Sequence, residues 1–115
     1  MRLPNVADAQ TPRPKIVDYL LSLTHRDGRG KALFFRAFGF APEDWQTLAT
    51  ALRRHATEND VAKIEATPFG TRYVVEGRLH APDGRTPSVR SVWFVEQAET
   101  IPRLVTAYPL DTAAP

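Results

Sequence analysis

The spacing of apolar positions changes period near the middle of the chain. Ile16, Val17, Tyr19, Leu20, Leu21 and Leu23 recur at helical spacing, which predicts a helix over about 12–23 opened by Thr11-Pro12. Pro14 falls in its first turn, where a missing N–H is tolerated. The segment from Thr24 to Gly30 breaks the pattern with two glycines, and a short helix is expected from about Lys31 to Phe38, with Gly39 as its C-cap. Ala41-Pro42-Glu43-Asp44 opens a third helix, since proline suits the first position and acidic side chains suit the first turn. Trp45, Leu48, Leu52 and His55 fall on one stripe of it, which runs to about Thr57.

Beyond Asp60 the pattern alternates. Ala62, Ile64 and Ala66 are interleaved with Lys63 and Glu65, and Pro68-Phe69-Gly70-Thr71 reads as a turn. Arg72 to His80 is a second strand with Tyr73, Val75 and Leu79 on one face. An Asp83-Gly84 turn flanked by Pro82 and Pro87 leads into a third strand, Val89 to Glu96. In that strand Arg90, Val92 and Phe94 oppose Ser91, Trp93 and Val95. The last strand runs from Arg103 to Leu110, with Leu104, Thr106 and Tyr108 on one face by strict alternation. The expected fold is α+β: about three N-terminal helices covering one face of a four-stranded antiparallel meander. Residues 1–115 form a single domain on this reading, with 1–10 and 111–115 as loose tails.

Composition narrows the chemistry. With 43% hydrophobic and 24% charged side chains the chain resembles an ordinary globular domain. It has no cysteine, which removes disulfides, thiolate metal sites and thiol nucleophiles. His25, His55 and His80 are too scattered for an HxH or HExxH metal site, so neither metal nor cofactor is expected. The serines lie in no nucleophile elbow. No apolar run suits a secretory signal or a membrane span, and a cytoplasmic location without membrane association is the expectation.

The net charge of +2 conceals an uneven distribution. Residues 1–40 carry seven basic and three acidic side chains (+4), residues 41–66 three and five (−2), and the rest balance. Arginine outnumbers lysine twelve to three, which suits anionic ligands or surface ion pairs. The densest cluster is His25-Arg26-Asp27-Gly28-Arg29-Gly30-Lys31, an imidazole with cations and glycines at a helix start, suited to a phosphate. A solvated interhelical loop would need the same glycines, and the spacing is not that of a nucleotide-binding loop. A second cluster lies in the strands: Arg72, Tyr73, Arg90, Trp93, Arg103, Thr106 and Tyr108 can together hold a phosphodiester and stack a base. The aromatics among them serve equally as core. Phe34, Phe35, Phe38 and Phe40 exceed what one short helix need bury and offer a protein interface, although core positions account for at least two.

Two stretches resemble an uncharacterised bacterial domain family of about this length. The first is Pro14-Lys15-Ile16 through Leu21, His25-x-Asp27-Gly28-Arg29-Gly30-Lys31-Ala32-x-Phe34-Phe35, Gly39-Phe40 and Trp45. The second is Thr67-Pro68-x-Gly70-Thr71-x-Tyr73, Pro82 to Pro87, Val92-Trp93 and Pro102 to Pro109. More loosely, helices followed by a meander ending in Leu104-Val105-Thr106-Ala107-Tyr108-Pro109 are similar to the barnase–colicin–RelE-like ribonuclease fold. That resemblance implies a metal-independent ribonuclease toxin and a small cognate antitoxin protein as partner. RNA would be cleaved by attack of its 2′-hydroxyl, with His25 as acid or base and Lys31 and Arg90 stabilising charge. Thr106 would orient the phosphate, Tyr108 would move a proton or stack a base, and Arg29, Arg72, Tyr73, Trp93 and Arg103 would bind substrate. The alternative is a non-catalytic interaction module: an antitoxin, immunity protein or adaptor.

Overall fold

The structure, a computed structural model, describes residues 1–110. Its order is a 3-10 turn at Val6–Asp8, α1 (Arg13–Lys15) continuing as a π-helical segment Ile16–Leu20, α2 (Arg29–Ala37), a 3-10 turn at Pro42–Asp44, and α3 (Trp45–Glu58). Four strands follow: β1 (Val61–Thr67), β2 (Gly70–Arg78), β3 (Ser88–Glu96) and β4 (Arg103–Pro109). They form one antiparallel sheet in the order β1-β2-β3-β4, so the expected α+β meander is present.

The first helix is shorter than its apolar spacing predicts. It stops at Leu20 because the following groups are satisfied locally: Arg36 donates two hydrogen bonds to the Leu21 carbonyl (3.0 and 2.7 Å), and Ser22 Oγ accepts from the Thr24 and His25 amides. Leu23 is left largely exposed. α2 begins two residues earlier than expected and ends into Gly39, whose φ of +102° is the left-handed conformation glycine accepts without strain.

α3 lies across β2 and β3 and buries Leu48, Leu52 and His55. His55 is fully buried yet fully bonded. Its Nε2 faces the Gly77 and Val89 carbonyls (3.1 and 2.9 Å), and its Nδ1 faces Ser91 Oγ (3.0 Å). Two carbonyls require a proton on Nε2, so Nδ1 accepts from the Ser91 hydroxyl. Ser91 Oγ in turn accepts the Trp93 indole N–H at 2.9 Å. Burial holds the His55 pKa below its ordinary value, against the backbone bonds that favour the cation. All four phenylalanines of the 34–40 segment serve the core: Phe35 and Phe40 lie within it, and Phe34 and Phe38 pack against it.

The expectation of a loose N-terminus is corrected. Leu3 and Ala9 are buried, and Gln10 pairs with β4 through Gln10 N–H to Pro102 O and Leu104 N–H to Gln10 O, both 2.9 Å. The other expected tail, 111–115, lies outside the described residues.

Strict alternation also fails in β4. Thr106 pairs with Val92 and Leu104 with Trp93, leaving Val105 as an extra residue at a bulge. Leu104 and Ala107 therefore both face the core, while Thr106 and Tyr108 take the opposite phase. Among the described residues no helix is long and apolar enough to cross a membrane.

Candidate functional site

The site forms where the first helical segments meet the rim of β4. The π-helical turn carries Tyr19, and its wider register is a recurrent feature of functional sites. The Tyr19 hydroxyl is 3.1 Å from Thr106 Oγ1, a bond that joins positions 87 residues apart. The phenol ring is flanked by two cations, Lys15 Nζ at 5.1 Å and Lys31 Nζ at 5.2 Å from its centroid. His25 stands edge-on to the same ring at 4.9 Å.

Gly28 allows this approach. A Cβ there would run into the Tyr19 carbonyl and touch its ring. The loop amides of Asp27 and Gly28 both donate to His25 Nδ1, at 3.0 and 3.1 Å. A nitrogen that accepts two N–H bonds carries no proton, so the ring proton sits on Nε2 and that edge is a hydrogen-bond donor. In this conformation His25 offers its Nε2–H to a ligand.

Tyr19, expected only as an apolar position of the first helix, stands at the centre of this group. Burial raises its pKa, but the Lys31 ammonium, the hydrogen bond with Thr106 and the charge of Lys15 outweigh it and hold the phenol below its usual value. The available signal was spacing: Lys15 and Tyr19 are four residues apart and share a helical face.

An open cavity of about 470 Å³ is lined by Tyr19, Asp27, Lys31, Thr106 and Tyr108. Lys31 Nζ also donates to the Asp27 carbonyl at 3.1 Å. Tyr108 leads onto the uncovered face of the sheet, where Arg90 lies 5.5 Å from its ring and donates to its hydroxyl at 3.4 Å. Glu76 Oε2 holds Arg90 through Nε and Nη2, at 2.7 and 2.5 Å. Arg72 lines the same face and is paired with Glu65 at 2.9 Å.

The structure thus gathers His25, Lys31, Thr106 and Tyr108 around Tyr19, with Arg90 next and Arg72 further along the face. Other expected residues lie elsewhere. Trp93 is fully buried and Tyr73 packs against the core from the covered face, so Trp93 is corrected from substrate contact to core residue. Arg103 pairs with Glu96 at the far end of β4. Arg29 is exposed at the first position of α2. Among the described residues no three His, Cys, Asp or Glu side chains converge as metal ligands.

A family described as a domain of unknown function, DUF6883, matches residues 2–111. The chain belongs to that family. This bears out the resemblance to an uncharacterised domain of about 110 residues. No protein of curated function matches it in sequence. A similar solved structure is a chain from the "Contact-dependent growth inhibition toxin - immunity protein complex from Klebsiella pneumoniae 342". That match has 20% identity and a TM-score of 0.72, and covers 92% of this chain and 97% of the other. At this identity the likeness shows a shared fold.

Proposed function

We propose that this DUF6883 domain is an RNA-cleaving toxin domain, neutralised by a small cognate protein, that works by attack of a 2′-hydroxyl on the adjacent phosphorus. The observation that carries the reading is the Tyr19–Thr106 bond set between Lys15 and Lys31. It puts a phenol with a lowered pKa beside Lys31 in an open cavity that Tyr108 also lines. The solved chain of the same fold comes from a complex of a growth-inhibiting toxin with its immunity protein, which supports a toxin- or immunity-related role and a protein partner.

In the proposed reaction Tyr19, as phenolate, takes the proton of the 2′-hydroxyl. The 2′-oxygen–phosphorus bond forms, the bond to the 5′-oxygen breaks, and the Lys31 ammonium gives that oxygen its proton. The products are a cyclic phosphate and a free 5′-hydroxyl. The cations and the His25 Nε2–H hold the non-bridging oxygens of the phosphorane. Thr106 fixes the phenol, and the Tyr108 ring stacks a base.

The test is growth inhibition together with RNA cleavage by the purified chain. Tyr19→Phe removes the titrating hydroxyl and keeps the ring, and a loss of at least about 100-fold is expected, within the range of general acid–base catalysis. Wild-type cleavage by Tyr19→Phe would refute the mechanism. A folded, harmless chain that cuts no RNA would favour the interaction-module alternative.

A further inference from the structure

The two edges of the sheet are finished differently. β4 is bridged by Gln10 and approached by the first helical segments, whereas β1 lies at the opposite edge with only Val61 N–H bonded outward, to Met1 O at 2.7 Å. Ala62, Lys63, Ile64, Ala66 and Thr67 are exposed, and Ile64 retains 49% of its surface. An open edge of this length is a template for another strand.

The order of residues along β1 says which strand fits. Val61-Ala62-Lys63-Ile64-Glu65-Ala66-Thr67 is self-complementary about Ile64. In an antiparallel pair centred there, Ile64 faces Ile64 of the second copy. Lys63 faces the opposite Glu65, and Glu65 faces the opposite Lys63. Opposite charges directly across strands are favourable and like charges are not. A two-fold axis at a residue suits both pair types of an antiparallel ladder, and the central pairs from Lys63 to Glu65 lie clear of the bulge between Val61 and Lys63. Phe69, 76% exposed in the β1–β2 turn, supplies apolar surface just beyond Thr67 at each end of the seam.

We propose that β1 pairs with β1 of a second copy of this chain, making a two-fold dimer with one continuous eight-stranded sheet. One edge strand buries less than a standard interface, so the dimer is weak, with a Kd on the order of 10–100 μM. β4 and the Tyr19 cavity lie at the far edge of each sheet and stay open.

Sedimentation velocity of the full chain over about 1–300 μM tests this, with circular dichroism confirming that each variant folds. Wild type is expected to shift from monomer to dimer across that range. Lys63→Glu alone and Glu65→Lys alone place like charges across the seam, and each should remain monomeric. The double reversal K63E/E65K restores complementarity and should dimerise again. Mixing the two single variants should give a heterodimer. Wild type that stays monomeric at 300 μM, as when β1 receives only a strand from a different protein, overturns the proposal. So does a dimer indifferent to the single reversals.

Discussion

Burial pushes the Tyr19 phenol toward neutrality while Lys31, Thr106 and Lys15 favour its anion, and the second group prevails. The balance rests on nearby cations, so removing one should move it. In Lys31→Ala the phenol loses a neighbouring cation, and its pKa, read by ultraviolet titration of the tyrosines against Tyr19→Phe, should rise. If RNA cleavage depends on the phenolate, the alkaline rise of the pH–rate profile shifts upward with it, whereas a fixed profile would disconnect Tyr19 from the proton transfer. His55 is governed by burial in the other direction. Unfolded, it titrates near 6.5; folded, it stays neutral to lower pH because burial disfavours the cation. Between those values the unfolded chain binds the extra proton, so stability is complete above about 6.5 and is lost as pH falls toward the folded value. Urea unfolding at pH 7.5 and 5.5 should show this loss, limited to about 1.4 kcal/mol per pH unit, and it should shrink in His55→Gln. His55→Ala, which leaves a cavity and an unsatisfied Ser91 hydroxyl, should cost about 3 kcal/mol at pH 7.5.

Elements were legible wherever a single period persisted. The stripe of Leu48, Leu52 and His55 marks α3, and alternation marks β2 and β3 within two residues of their ends. The bulge at Val105 escaped because one extra residue reverses the phase of everything after it and leaves no compositional trace. Thr106 and Tyr108 interrupt the strand with polar groups, which marks them in the sequence, but strict alternation puts them on a face with Leu104. Tyr19 was hidden for a related reason: in a helix an aromatic at an apolar position reads as core until the strand it meets is known. The loop between the first helical segments and α2 offers a paired test at this scale. A Cβ at Gly28 would strike Tyr19, whereas one at Gly30 meets nothing within 4 Å. Gly28→Ala should therefore displace the phenol and cut activity by at least about tenfold, since misplaced catalytic groups are costly. Gly30→Ala should raise stability by about 0.5–1 kcal/mol through helix propensity without displacing the phenol. Equal effects of the two substitutions would show that the loop does not position Tyr19.

At the scale of the molecule, the basic first third becomes local rather than diffuse. Lys15 and Lys31 meet at Tyr19, while Arg72, Arg90 and Arg103 on the sheet are each paired with a glutamate. RNA affinity should therefore fall steeply with salt, and Lys15→Ala with Lys31→Ala should reduce the slope of log K against log salt by about 1–2, near 0.7 per phosphate contact on a single strand. On the two proposals the meander divides the sheet's edges between tasks, with the proposed catalytic rim at β4 and the proposed dimer seam at β1. The central claim is that this rim cleaves RNA through the 2′-hydroxyl. Its most direct measurement is mass spectrometry of the products when the purified chain meets an RNA oligonucleotide and its all-deoxy counterpart. Fragments ending in a 2′,3′-cyclic phosphate from the RNA alone, absent with Tyr19→Phe, are the predicted result. An uncut RNA in the presence of folded protein, or equal cleavage of the deoxy strand, would contradict it.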